Sequence, residues 1–202
     1  MPEIVVATNN RGKAEEFRRL LGPEGWTVRT PRDLGLNFEV DESGATYEEN
    51  ARLKAIAASR LACLPALGDD SGIEVAALGG EPGLRSARFA GDGASDAANR
   101  ARLLEKLASQ RDRAACFVCV LVLTAADDEQ VFRGEVKGVI VASERGAGGF
   151  GYDPIFQPAG QEMTMAELSS AVKDELSHRG RAVQAALPAL RALRSASAQR
   201  GG

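Results

Sequence analysis

Ile4-Val5-Val6-Ala7-Thr8-Asn9-Asn10-Arg11-Gly12-Lys13 is a short apolar run that breaks into a polar turn. Residues 14–21 then show helical periodicity through Phe17, Leu20 and Leu21, so the stretch predicts strand, polar turn and helix in succession. A helix that starts straight after a buried strand presents unpaired backbone N–H groups and the positive end of its dipole, and Lys13 adds a full charge. Two readings stay open here, a seat for phosphate and an ordinary polar turn. The Gly-x-x-x-x-Gly-Lys spacing of the common nucleotide loop is missing.

Outward from this unit, Trp26-Thr27-Val28 reads as a second strand, and residues 33–44 read as loop with a short extended piece at Phe38-Glu39-Val40. Thr46-Tyr47-Glu48-Glu49 has the form of a helix capping box, continued by an alanine-rich stretch to residue 62 and stopped by Pro65. Ala66-Leu67-Gly68 and Ile73-Glu74-Val75 flank Asp69-Asp70-Ser71-Gly72, which predicts two strand segments joined by an acidic turn. Residues 79–93 form a long glycine-rich loop, and residues 95–107 resume as a helix with Leu103, Leu104 and Leu107 on one side. Residues 114–125 and 130–141 are β-rich and separated by Asp127-Asp128, which predicts an antiparallel hairpin and hence a mixed sheet. Helical patterning returns over residues 165–173 and after Ser177, with a kink expected at Pro188 and a frayed tail over residues 195–202.

With 202 residues, 44% of them apolar, the chain can bury one core or two associated lobes, and no repeat or low-complexity linker divides it. Residues 1–194 are therefore expected to form a single domain. The net charge of −3 leaves no global positive field for a nucleic-acid backbone, so no nucleic-acid partner is expected and an anionic ligand must be held locally. Three cysteines and no apolar signal stretch behind the opening Met-Pro-Glu point to a reducing, cytoplasmic setting. Cys116 and Cys119 have CxxC spacing but lie in an apolar strand, where residues three apart face opposite ways, so they read as structural. No apolar run approaches the ~20 residues of a membrane span, and a soluble chain is expected.

Several side chains could carry chemistry. Asp69 and Asp70 are either a solvated turn or, beside a phosphate site, carriers of a divalent cation; as strand neighbours they face opposite ways and take different roles. Glu42 is a third acid in a loop, and Lys54 and Lys173 are lysines within apolar helices that taken singly read as surface charges. Gly146-Ala147-Gly148-Gly149-Phe150-Gly151 matches Gly-x-Gly-x-x-Gly formally, yet Tyr152-Asp153-Pro154 follows at once, and proline keeps Asp153 out of a helix. What remains is a backbone loop with Phe150 and Tyr152 exposed as a platform for a flat base, or a plain turn with Phe150 in the core. His178, the only histidine, leaves no His-cluster metal site and reads alone as a surface or capping group.

The order of these pieces is more telling than any one of them. Thr8-Asn9-Asn10-Arg11-Gly12-Lys13, Glu49-Asn50-Ala51, Gly68-Asp69-Asp70-Ser71-Gly72, Pro82-Gly83 with Ser86-Ala87-Arg88, Gly149-Phe150-Gly151-Tyr152-Asp153-Pro154 and Ser177-His178-Arg179-Gly180-Arg181-Ala182 succeed one another from residue 4 to about 190. This succession closely resembles the inosine/xanthosine triphosphate pyrophosphatase family, also called Ham1-like. The resemblance implies an α/β fold: an elongated mixed sheet with flanking helices and two lobes around a central substrate cleft, as a homodimer. It implies that Thr8, Asn9, Asn10, Arg11, Gly12 and Lys13 hold the triphosphate with help from Lys54, and that Glu42 and Asp70 bind magnesium. Asp70 would also accept the proton of the attacking water, Asp69 and Arg88 would be auxiliary, and Ser71 would touch substrate. Phe150, Gly151, Tyr152, Asp153, Lys173, His178 and Arg179 would surround base and sugar, with Arg179 and backbone amides as donors to a 6-oxo group. The implied activity is the house-cleaning hydrolysis of ITP, dITP and XTP to the monophosphate and pyrophosphate. Two other readings stand beside it, a Maf-like pyrophosphatase with another base preference and a nucleotide sensor that does not hydrolyse.

Overall fold

The computed structural model describes residues 1–126 and 128–200. In chain order the elements are β1 (Glu3–Ala7), α1 (Arg11–Leu21), β2 (Thr27–Arg29), α2 (Tyr47–Ala62), β3 (Ala66–Val75), α3 (Asp96–Lys106), β4 (Ala114–Ala125), β5 (Asp128–Ile140), β6 (Phe156–Pro158), α4 (Ser170–Leu176) and α5 (His178–Arg200). One six-stranded sheet runs in the order β2-β1-β3-β4-β5-β6. It is mixed, as expected. β1 pairs in parallel with β2, Ile4 opposite Val28, and with β3, Val5 opposite Ala66, whereas β5 and β6 are antiparallel, with Val139 opposite Gln157.

The chain gathers into two compact units, Met1–Asp70 with Cys119–Gly134 and Arg179–Gly202, and Ser71–Val118 with Glu135–His178. Strands β3, β4 and β5 each contribute residues to both. That is why no linker is legible in the sequence.

In the first unit, β1 is buried on both faces, and its alternation sorts the layers. Ile4 and Val6 pack with Phe17 and Leu21 of α1, Leu67 of β3, Leu121 of β4 and Ala182, Val183 and Leu190 of α5. Val5 and Ala7 join Ala66 and Ala58 of α2 in a second cluster. The alanines of α2 let that helix come close to the strand, and Gly68 is the point of nearest approach. A Cβ there would meet the Ala51 carbonyl oxygen at 1.9 Å and the Ala55 nitrogen at 2.7 Å. The start of α2 is set by Thr46, whose hydroxyl accepts the Glu49 N–H at 3.1 Å, while Glu49 accepts the Ala45 N–H at 2.6 Å. In the second unit, Ile73 and Val75 of β3, Leu103 of α3, Leu107 just after it, Phe117, Ile140, Tyr152, Ile155 and Phe156 form one core cluster.

Several expectations change. Asp69 and Asp70 lie inside an unbroken β3 rather than in a turn, because each charge finds a buried cation of opposite sign on its own side of the strand. Residues 38–40, read as an extended piece within a loop, join no strand, and Phe38 is buried there. Helix over residues 165–173 shrinks to α4, since Ser169 caps it by accepting the Val172 N–H and so sets its start. Pro188 lies within α5, which continues through residues 195–200 where fraying was expected; residues 201–202, and Asp127 on which a hairpin turn was expected, fall outside the described residues. Among the described residues no cysteine is in a disulfide, with Cys119 buried and Cys116 half-buried on β4. No described helix is long and apolar enough to cross a membrane.

Gly68→Ala is expected to cost about 1–3 kcal/mol, because backbone rather than a movable side chain blocks the added methyl. A lowered urea midpoint with an unchanged slope would show this; an unchanged midpoint would mean that α2 can back away from β3 freely.

Candidate active site

Around the first turn, Asn10 is the N-cap of α1: its side-chain oxygen accepts the Lys13 N–H at 3.0 Å. The Thr8 hydroxyl in turn accepts the Asn10 N–H at 3.1 Å. Asn9 turns its side-chain amide outward to the loop before α2, donating to the Phe38 carbonyl at 2.7 Å. Thr8, Asn9, Asn10 and Arg11 line a pocket of about 220 Å³ together with Ala14, Arg18, Thr30, Arg32 and the acids Glu15 and Asp33, of which Asp33 is paired with Arg18 at 2.7 Å. Arg11 is exposed and Gly12 half-buried. Polar walls, helix-start amides and arginines make this turn chemically suited to an anion.

β3 delivers two acids to opposite sides. Asp69, 1% exposed, accepts from Arg179 Nε at 2.9 Å, from Lys13 Nζ and from the thiol of Cys119 at 3.2 Å. Arg179 bonds Glu16 of α1 with another nitrogen and lies over the Phe17 ring, 5.7 Å from its centroid. Burial alone would raise the Asp69 carboxyl, but the charges of Arg179 and Lys13 outweigh it and hold the group well below its ordinary value. Burial and the Asp69 charge push the Cys119 thiol up, so it is a neutral donor. Arg179 was expected to face a base. It is instead fully buried with two carboxylate partners, and by holding Asp69 it steadies the acid that Lys13 bonds.

Asp70 faces α2. Its Oδ1 accepts from Lys54 Nζ at 2.7 Å and its Oδ2 lies 3.5 Å from the Asn50 amide nitrogen. Glu42 reaches the same lysine, Oε1 to Nζ at 3.5 Å. Asn50 also accepts the Gly44 N–H at 2.8 Å, which anchors the loop that carries Glu42. Burial raises the Asp70 carboxyl, and Lys54 offsets this only in part. Burial would lower the Lys54 ammonium, but Asp70 and Glu42 turn the balance upward and keep it charged. Lys54 is thus a buried cation, not a surface charge.

The second unit collects the other candidates. Asp153, 3% exposed, accepts from Lys173 Nζ and from the Phe150 N–H at 2.8 Å. Lys173, also buried, lies over the Phe150 ring, 4.9 Å from its centroid. His178 is buried and stacks flat on Phe117, with ring centroids 4.6 Å apart and planes 6° apart. Phe150 is half-buried. Tyr152, expected to be exposed beside it, is a core residue whose hydroxyl donates to the Ser86 carbonyl at 2.8 Å; a phenol fills core volume once its O–H has an acceptor. Ser71 is half-buried in β3, and Arg88 is exposed at the end of the short turn Gly83–Arg88.

Two participants escape a reading of the sequence. Glu16 next to Phe17 in an amphipathic helix looks like a surface acid, and nothing local marks its partner 163 residues away. Asn50 does carry a signal: it stands four residues before Lys54 on one face of an alanine-rich helix, where a polar pair needs a polar counterpart.

Residues 4–189 match the Ham1 family. The chain is 50% identical over 187 residues to a dITP/XTP pyrophosphatase of Deinococcus radiodurans, covering 92% of each protein. To a dITP/XTP pyrophosphatase of Staphylococcus aureus it is 47% identical over 184 residues, covering 91% of this chain and 93% of the relative. Among solved structures it superposes on the Ham1 protein of Staphylococcus aureus with a TM-score of 0.80 at 43% identity, covering 96% of this chain and 99% of that one. A HAM1 protein from Coxiella burnetii gives 0.81 at 38% identity with the same coverage. Sequence match along nearly the whole chain, together with the same fold, means that this protein belongs to the Ham1 family.

Proposed function

We infer that this protein hydrolyses the triphosphate of non-canonical purine nucleotides, ITP, dITP and XTP, to the monophosphate and pyrophosphate. The observation that carries the reading is the division of labour on β3: adjacent buried acids each hold one lysine, Lys13 on Asp69 and Lys54 on Asp70. Two lysines from α1 and α2 gathered by two adjacent carboxylates of β3 suit phosphoryl chemistry, where positioning and charge neutralisation do most of the work. The relatives, which are dITP/XTP pyrophosphatases, support dITP and XTP as substrates.

In this reading the turn from Thr8 to Lys13 grips the phosphate chain, and Lys54 offsets charge on the departing pyrophosphate. Asp70 takes a proton from the water that attacks the α-phosphorus. Ser71 touches substrate, and Arg88 assists from the surface. Arg179 contributes as the cation that fixes Asp69 and, through it, Lys13. Phe150 with its neighbours Gly151 and Asp153, Lys173 and His178 serve the base and sugar. A 6-oxo base is chosen by hydrogen-bond donors that a 6-amino group would leave unpaired, a mismatch able to discriminate by roughly 10⁴ or more.

Glu42 and Asp70 fit a magnesium ion. They approach one point, both within 3.5 Å of Lys54 Nζ, and they are oxygen donors with no histidine or thiolate beside them. Among the described residues no group of three or more metal-binding side chains exists. Magnesium typically takes one or two carboxylates and completes its shell with phosphate oxygens and water. Bound there, it would supply positive charge to the triphosphate.

The chain is also proposed to work as a cytoplasmic homodimer; exposed Leu53, Leu61 and Val131 offer apolar surface that a partner could cover. Light scattering on the purified protein is expected to give twice the 21.3 kDa chain mass, and a monomer would remove this part of the reading.

A panel of ITP, dITP, XTP, GTP and ATP is expected to yield pyrophosphate from the first three in magnesium and none in chelator. Orthophosphate as product would move the scissile bond, turnover of dTTP or UTP instead would indicate another base class, and magnesium-dependent binding without turnover would indicate a sensor. Asp70→Asn is expected to lower turnover by about 10²–10⁴, the usual scale of general-base assistance, with the far-UV circular dichroism of the folded protein retained. Near-normal turnover in that variant would refute the role of Asp70.

A further inference from the structure

The glycine-rich loop that carries Phe150 is held in its middle by the Gly148 N–H on the Ala166 carbonyl at 3.0 Å and by the Phe150 N–H on Asp153 at 2.8 Å, but its two ends need a hold of their own. Gly146, Gly149 and Gly151 all have positive φ, at +80°, +71° and +60°, and glycine stretches lose more conformational freedom on ordering than any other. At Gly151 nothing beyond the chain neighbours lies within 4 Å of where a Cβ would stand, so packing does not fix that peptide. Helix α3 holds it instead. Asp96, in the first turn, accepts the Gly151 N–H at 2.7 Å. Arg100, one turn on, donates to the Gly151 carbonyl from Nη1 at 2.8 Å.

The same guanidinium also forks onto Glu144, Nε to Oε1 at 2.9 Å and Nη2 to Oε2 at 3.0 Å. Glu144 precedes the loop and Gly151 ends it. One planar cation therefore ties the two ends of the loop together, and a carboxylate four residues away on the same helix face completes the hold. Arg100 is only 13% exposed at its side chain, which favours charge-assisted bonds over a solvated surface pair.

We propose that Asp96, Arg100 and Glu144 are positioning residues that clasp the neck of the 145–151 loop and so hold the Phe150 ring in place for the nucleobase. The base-binding role of Phe150 rests on the function proposed above, whereas the clasp itself does not. The loop pays its ordering cost before substrate arrives, and binding is correspondingly stronger.

The test compares wild type with Arg100→Ala, Arg100→Lys and Asp96→Asn in the full chain. In Arg100→Ala, amide hydrogen exchange over residues 145–151 is expected to rise by about ten-fold or more while the global unfolding midpoint stays within a few degrees. KM for ITP should rise about ten-fold, the scale of one charge-assisted hydrogen bond, with kcat within about two-fold and inhibition by inorganic tripolyphosphate unchanged. Arg100→Lys keeps the charge but cannot bond Glu144 and Gly151 together, so it should resemble alanine. Asp96→Asn keeps an acceptor oxygen but loses the charge, so exchange over residues 145–151 should rise, though less than in Arg100→Ala. Wild-type exchange over 145–151 in Arg100→Ala overturns the clasp, as does full rescue by lysine. If wild type fails to turn over ITP, the proposed reaction falls, and the exchange measurement still decides the clasp.

Discussion

A buried carboxylate must be paired or it must go, and the first unit is arranged around that constraint. Removing a charge from water costs several kcal/mol after relaxation. Asp69 meets the cost with Arg179, Lys13 and the Cys119 thiol, and Asp70 meets it with Lys54 and Asn50. Because neighbouring strand residues point to opposite sides, the two sets of partners must come from different helices. α1 and α5 supply one set, α2 the other. The positions of three helices on β1 and β3 are thus tied to two consecutive aspartates, and any shift of a helix would strand a charge.

The same arrangement explains why the functional groups are rigid. Lys13 and Lys54 would be floppy as surface lysines, losing rotamer freedom on meeting a ligand. Held by carboxylates inside the protein, they have lost that freedom already. A buried ion pair contributes little net stability by itself, so these pairs make better sense as positioning devices than as supports of the fold. The apolar layers formed by Ile4, Val6, Phe17 and Leu67 on one side, and Val5, Ala7 and Ala58 on the other, supply the burial that the pairs need.

The second unit solves a related problem with other means. There, Asp153 gathers the Phe150 N–H and the Lys173 ammonium, and the cation in turn lies against the Phe150 ring. His178 is fixed by flat contact with Phe117. Aromatic faces and one buried acid do the work that paired acids do in the first unit.

Much of this was legible in the order of residues. The strand, turn and helix of residues 4–21, the capping box at Thr46, the mixed sheet and the family likeness all follow from local patterns: periodicity, a side chain that reaches its own backbone, and motifs in succession. Those are short-range physics, and the chain carries them wherever it goes. What the tertiary structure alone decided is which charges are buried. Asp69-Asp70 reads as a solvated turn and Lys54, Lys173 and Glu16 as surface charges, until partners 16, 20 and 163 residues distant close on them. Electrostatic pairing depends on distance in space and on exclusion of water, and neither quantity is written in sequence separation.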